Sequence, residues 1–258
     1  MSTKSSSERE SMAMNARSWD LHASRYAGGG SDSETFDFGD PLFPTDEQLG
    51  MVGQVQGKRV LEVGSGACAC GIALARKGAT VTCVDVSQEQ LRRGTVNAQK
   101  AGVEVRTLLG DAYDLGSPGE EQFDLVVAIA SFQYVPDLAR ALAAAFQILR
   151  PGGRIIFSIP HPIMEVFDAS VLSVEDGADP RYSYRGPVQW KWEPDDEFEF
   201  VTYRRTVADI INQVVGEGFQ VQRVEELMPL KQEPDWTDVE REIRTRYPSF
   251  LVVQAIKG

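Results

Sequence analysis

Through the middle of the chain, short apolar runs rich in β-branched residues alternate with longer stretches of helical period. The runs are RVLEVG from Arg59, VTCVDV from Val81, VEVRTLL from Val103, FDLVVAIA from Phe123 and RIIFSIP from Arg154. Near-continuous apolar runs of this kind suit strands buried on both faces. The stretches between them, Ala67 to Lys77, Gln88 to Ala101 and Asp137 to Leu149, are each long enough for a helix that crosses back over a sheet. The pattern predicts a doubly wound α/β domain over residues 56–160 with a mostly parallel sheet. Arg150-Pro151-Gly152-Gly153 predicts a tight turn between the last helix and its strand, because Pro fixes φ and Gly permits positive φ.

The flanks read differently. Residues 1–14 are rich in Ser and Glu with almost nothing to bury, which predicts a disordered leader. Trp19, Ala23 and Tyr26 then share one face of a helix that the glycines at 28–30 end, and a short helical pattern from Asp46 to Val55 completes a helical segment over 15–55. Between 161 and 200 the alternation lapses into an insertion holding Tyr182, Tyr184, Trp190, Trp192, Phe198 and Phe200. Residues 201–258 return to the core pattern: a helix from Thr206 to Val215, then FQVQRVEEL and FLVVQAIKG as an antiparallel C-terminal edge pair.

Composition narrows the chemistry. The chain has 258 residues, with 26 Lys and Arg against 38 Asp and Glu, a net charge of -12. Such a field repels phosphate backbones and anionic lipid, so nucleic acid and membrane surfaces are poor partners. No apolar run approaches the ~18 to 20 residues of a membrane span, and MSTKSSSERE lacks the apolar stretch of a signal peptide. The expectation is a cytoplasmic protein, monomer or homodimer. Cys68, Cys70 and Cys83 are too few for a disulfide framework, and with two separated histidines they make no zinc site. No metal is expected; Asp137 and neighbouring acids offer magnesium a place, but no spacing demands it. The hydrolase elbow and the Gly-Lys-Ser/Thr phosphate loop are both missing.

The informative segment is VLEVGSGACACG, where a strand runs into Gly64 and Gly66 and then a helix. Glycines there let backbone amides at a helix N-terminus approach a ligand closely. Roughly twenty residues later Asp85 ends the second strand, where a carboxylate can accept both hydroxyls of a ribose. Both features suit an adenosine-containing cofactor. Gly64, Gly66 and Ala69 also satisfy the relaxed dinucleotide pattern, so an NAD(P)-dependent oxidoreductase stays open at this point.

Three further features weigh against it: Glu62 on the first strand, Gly110-Asp111-Ala112 after the third, and FDLVVAIASFQYV leading to the Arg-Pro-Gly-Gly turn. In this order, over residues 55–160, the chain resembles the class I S-adenosylmethionine-dependent methyltransferases of the small-molecule branch. The resemblance implies a Rossmann-like sheet. It also implies that Glu62, Gly64, Ser65 and Gly66 form the loop under the methionine part of the cofactor, Asp85 takes the ribose hydroxyls and Val86 packs on the adenine. Gly110 leads to Asp111 and Ala112, which meet the adenine edge, while Ala128 and Ile129 offer carbonyls to the methionine ammonium. Phe132 and Tyr134 lie beside the reactive sulfonium. Many members have a third glycine where Cys68 stands here.

Trp19, Asp20, Ala23 and Tyr26 resemble the W/Y-D-x-x-A-x-x-Y segment that closes over the cofactor as an N-terminal lid. Tyr26 would point at the methionine end. Methyl transfer from a sulfonium is an in-line displacement that chiefly needs positioning and exclusion of water. His161, at the end of the fifth strand, is the candidate general base, with Tyr26 and Tyr134 the other candidates for a catalytic role. The inserted segment, with Trp190 and Trp192, is expected to form a β-rich roof whose flat walls, with Trp19, suit an aromatic or heteroaromatic acceptor such as an indole, a phenol or an amine-bearing natural product. The resemblance implies secondary metabolism. A cofactor binder that does not methylate remains the other alternative.

Overall fold

The computed structural model describes residues 5–23, 35–116, 122–167, 181–191 and 199–258. Seven strands form one sheet: β1 (Arg59–Val63), β2 (Thr80–Asp85), β3 (Val105–Leu109), β4 (Phe123–Ile129), β5 (Leu149–Pro160), β8 (Phe219–Leu227) and β9 (Phe250–Lys257). Their order is β3-β2-β1-β4-β5-β9-β8. The first five pair in parallel, whereas β9 runs antiparallel to both β5 and β8. This is the Rossmann-like sheet with an antiparallel edge that the apolar runs predict.

Alternation along each central strand sends side chains to two cores. Leu61, Val126, Ile155 and Phe157 face α5 (Leu138–Ile148) and α7 (Val207–Gly216) on one side. Val60, Leu125, Val127 and Ile156 face α3 (Ala69–Arg76) and the Phe36–Val55 segment on the other. Burying each such side chain contributes about 1.5 to 3 kcal/mol, so both faces are strongly specified. Helix ends are set by side-chain caps. Ser87 accepts from the Gln90 amide at the start of α4 (Gln88–Ala101), and Asp137 accepts from Arg140 at the start of α5. Asp137, the place considered for magnesium, is a helix cap.

Several elements differ from the sequence pattern. Helix α1 spans Ser6–Ala23, so most of the expected leader is helical. The face it buries is polar: Ser11, Asn15 and Ser18 reach the small hairpin of β6 (Gly186–Trp190) and β7 (Phe200–Arg204). Asn15 donates to the Val201 carbonyl at 2.9 Å and accepts from the Val201 amide at 2.8 Å, pairing with β7 as a strand residue would. The hairpin carries the roof to Arg204, beyond the expected boundary at residue 200. Helix α2 is only Asp46–Leu49, and α6 (Pro162–Phe167) follows β5. The Arg-Pro-Gly-Gly turn is absorbed into β5, where pairing with β4 shifts register between Phe123 and Leu125. Helix α8 (Asp238–Arg246), absent from the apolar pattern, is capped reciprocally by Thr237 and Glu240. Among the described residues no helix is long and apolar enough to cross a membrane.

Candidate functional site

Strand order reverses between β1 and β4, and at the C-terminal ends of β1, β2 and β4 the sheet opens into a cavity of about 300 Å³ covered by α1. Its floor is the turn after β1. Gly64 has φ +66°, and a Cβ there would meet the Ser131 Cβ at 2.4 Å, so only glycine lets this turn pass under the end of β4. Ser131 Oγ donates to the Val63 carbonyl at 2.9 Å and joins the two strand ends. Cys68, in the third glycine's place, holds φ +60°, the left-handed conformation glycine adopts readily. Its side chain is accommodated by Gly94 of α4, where a Cβ would lie 2.4 Å from the sulfur.

Glu62 is 3% exposed yet lines the cavity. Its Oε2 accepts from the Gly71 amide at 2.9 Å and from the Cys83 thiol at 3.3 Å, tying β1 to the start of α3 and to β2. Burial, with Asp85 and Asp37 nearby, pushes its pKa up to about 7. Asp85 is also raised by burial; it accepts from the Gly66 amide at 2.7 Å and from Ser87 at 2.8 Å. Ser87 Oγ donates at 2.6 Å to Asp20 of α1, which also accepts from the Glu89 amide, so the covering helix is fastened to the start of α4 beside Asp85. Asp111 accepts from the Tyr113 amide at 2.8 Å and stands with Gly110 and Ala112 at the β3 side of the cavity.

Toward α1 the wall changes character. Met12, Trp19, Phe132, Tyr134 and Val135 line it. The Trp19 ring meets Tyr134 edge-on at 5.6 Å and lies 4.9 Å from Phe200, which is fully buried behind them. Trp190 stacks on Phe200 at 5.0 Å, one layer back from the cavity.

The structure therefore brings together at one cavity Glu62, Gly64, Ser65, Gly66, Asp85, Val86, Gly110, Asp111, Ala112, Ile129, Trp19, Phe132 and Tyr134. Three expected members stand elsewhere. Ala128 is fully buried within β4, packed in the core; Ile129, Ala130 and Ser131 reach the cavity instead. Trp190 supports the aromatic wall from behind. His161 lies off the cavity: its Nδ1 accepts from the Ile163 amide at 3.1 Å, which leaves Nε2 to donate to Glu226 at 2.9 Å. Burial holds its pKa below the ordinary histidine value despite that glutamate. Tyr26 and Trp192 lie outside the described residues. Sequence reasoning missed Met12, Asn15, Asp37, Gln90, Ala130 and Ser131. Ala130 carries φ +47° without being glycine, a strain visible only in three dimensions.

Residues 61–157 match the family model described as a methyltransferase domain. Over these residues the chain is similar to methyltransferase domains, and solved structures that share its fold include S-adenosylmethionine-dependent methyltransferases. A ubiquinone biosynthesis O-methyltransferase of Pseudomonas fluorescens is 34% identical over 130 residues, 50% of this chain and 54% of that protein. The chain spans about half the length of the curated relatives it matches. An S-adenosylmethionine-dependent methyltransferase of Mesorhizobium loti, 28% identical, superposes with a TM-score of 0.61 over 81% of this chain and 94% of its own. The 1,6-didemethyltoxoflavin N1-methyltransferase of Burkholderia thailandensis, solved with 1,6-didemethyltoxoflavin and S-adenosylhomocysteine, shares the fold at 16% identity. Its TM-score is 0.60 over 100% of this chain and 92% of that one. The matched residues supply the floor of the cavity, while α1 and the hairpin, which cover it, lie outside them.

Proposed function

We propose that this chain transfers a methyl group from S-adenosylmethionine to a small acceptor with a flat aromatic or heteroaromatic ring. The observation that carries this reading is the sign of charge in the cavity. Asp37, Glu62, Asp85 and Asp111 line it, and among the described residues no Lys, Arg or His does. In a partly dehydrated site such a wall favours a ligand bearing a sulfonium and an ammonium, and it opposes the pyrophosphate of NAD(P)H. The oxidoreductase alternative loses its support there.

The residues present fit the cofactor. Asp85 would take the ribose hydroxyls, Val86 and Ala112 would flank the adenine, Asp111 would accept from its amino group, and the turn at Gly64 would carry the methionine part. When bound, the cofactor supplies an electrophilic methyl carbon. The chain's own work is positioning and exclusion of water. Trp19, Phe132 and Tyr134 hold a planar acceptor over the floor, and α1 closes the cavity above it. Asn15 is committed to Val201 and makes no contact with the acceptor in this reading. His161, engaged with Glu226 and Ile163, has no proton-transfer step in this reading. The curated relatives' name favours an oxygen acceptor, and it lends no support to the expectation of secondary metabolism.

Calorimetric titration with S-adenosylhomocysteine and with NAD(P)H tests the reading. Micromolar binding of the first and none of the second is expected, followed by methyl mass gain on catechols or phenols incubated with enzyme and S-adenosylmethionine. Binding of NAD(P)H alone would overturn it. Tight nucleoside binding without methylation across phenol, amine and indole panels would leave a cofactor binder that does not methylate.

A further inference from the structure

The four cavity carboxylates are not equivalent. Asp85 and Asp111 stand on the β2–β3 side, where ribose and adenine are assigned, and both oxygens of Asp85 already meet backbone amides. Glu62 spends its Oε2 on Gly71 and Cys83 and acts as the anchor of the turn. Asp37 stands on the opposite side, beside Glu62 and Cys70, and comes from a segment that the glycine-loop motif does not include.

That segment is built to hold one side chain still. Phe36 and Phe38 on either side of Asp37 are fully buried, their rings edge-on at 5.3 Å. The Phe38 carbonyl accepts from Ser158 Oγ of β5 at 2.6 Å, and the Asp37 carbonyl faces the Cys70 thiol of α3 at 3.8 Å. The carboxylate uses Oδ1 to accept from the Gly39 amide at 3.0 Å; its Oδ2 takes no hydrogen bond among the described residues. Gly39 in turn abuts Ala130 at the end of β4, where an added Cβ would come within 3.1 Å. A ligand laid from Asp111 over Asp85 and the Gly64 turn therefore ends at Asp37.

We infer that Asp37 holds the α-ammonium of the cofactor's methionine end and selects for nucleosides that carry one. The inference rests on the cofactor reading above. Burial and the neighbouring Asp40 hold the Asp37 carboxyl above the usual aspartate range, so a cation is the partner that would relieve it. A charge-assisted hydrogen bond in such a site is about twice as strong as a neutral one, which makes Asp37 a specificity determinant instead of one contact among many.

The test uses two nucleosides that differ only in the amino-acid part: S-adenosylhomocysteine, which carries the ammonium, and 5′-methylthioadenosine, which lacks it. Asn keeps an acceptor for the Gly39 amide, so Asp37→Asn should leave the segment folded. The variant should bind S-adenosylhomocysteine at least about tenfold more weakly, about 1.4 kcal/mol, and 5′-methylthioadenosine unchanged, by calorimetry. Equal weakening of both nucleosides, or of neither, would overturn the assignment while leaving the cofactor reading intact. Failure of the wild-type chain to bind either nucleoside would overturn the cofactor reading and the assignment together.

Discussion

Cys68 and Gly94 form a matched pair. A left-handed residue other than glycine costs about 1 to 2 kcal/mol, and the side chain it brings needs room that the absence of a Cβ at Gly94 provides. Gly94→Ala is therefore expected to destabilise by about 1 to 3 kcal/mol through overpacking against the sulfur. Cys68→Gly in the same chain should restore most of the loss, a coupling that urea unfolding of the two singles and the double would display. Glu62 makes a second prediction at this scale. Its folded pKa of about 7 lies above the ordinary 4.5, so the group favours folding while protonated, and that contribution is lost as pH rises from about 4.5 to 7. Over that window the wild-type chain without ligand should lose stability relative to Glu62→Gln, by on the order of 3 kcal/mol once above pH 7. Parallel Tm curves for the two proteins across the window would remove Glu62 as a buried titrating group.

At the scale of elements, the fastening of α1 can be tested through Asp20. One carboxylate oxygen accepts from both Ser87 and Glu89 at the start of α4, where the helix dipole also favours negative charge. Removing it with Asp20→Ala should cost closure of α1 about 1.5 to 3 kcal/mol. Hydrogen exchange of the α1 amides should then speed up by about tenfold or more while amides of β1 and β4 keep their protection. Uniform acceleration throughout the chain would mean that Asp20 supports the whole fold and not the helix alone. The same elements explain what could be read from the sequence. The sheet and its crossing helices were legible because apolar period and burial coincide there. The start of α1 was not, because the stripe it buries, Ser11, Asn15 and Ser18, is polar and gains its partners from β7 and from Glu199 just before it, far along the chain. Helix α8 did leave a local sign, Thr237 three residues before Glu240, the spacing of a reciprocal cap. In the site, residues at the ends of β1, β2 and β3 follow from motif spacing, whereas Asp37 and Ser131 join it only through packing. His161 looked available because Glu226, its partner, lies 65 residues on.

For the whole molecule, the net charge of -12 surrounds a cavity of the same sign. S-adenosylmethionine carries one positive charge more than S-adenosylhomocysteine, so the long-range field distinguishes the two. Raising salt from about 0.05 to about 0.5 M shortens the Debye length to a few ångströms, and it should weaken binding of the sulfonium nucleoside more than that of the thioether. Identical salt slopes in paired titrations would confine the effect to the short-range contacts inside the cavity.

The join between α1 and β7 has a bearing on turnover and on handling of the protein. Its contacts are an amide against a peptide group and hydroxyls against a carbonyl and a phenol, with Trp19 the main apolar contribution. If the helix lifts to let a nucleoside in or out, as the proposed function requires, water can take over those bonds nearly one for one. The greasy surface bared is then confined to Trp19 and the rings it covers, Tyr134 and Phe200, while the rest of the join stays wetted.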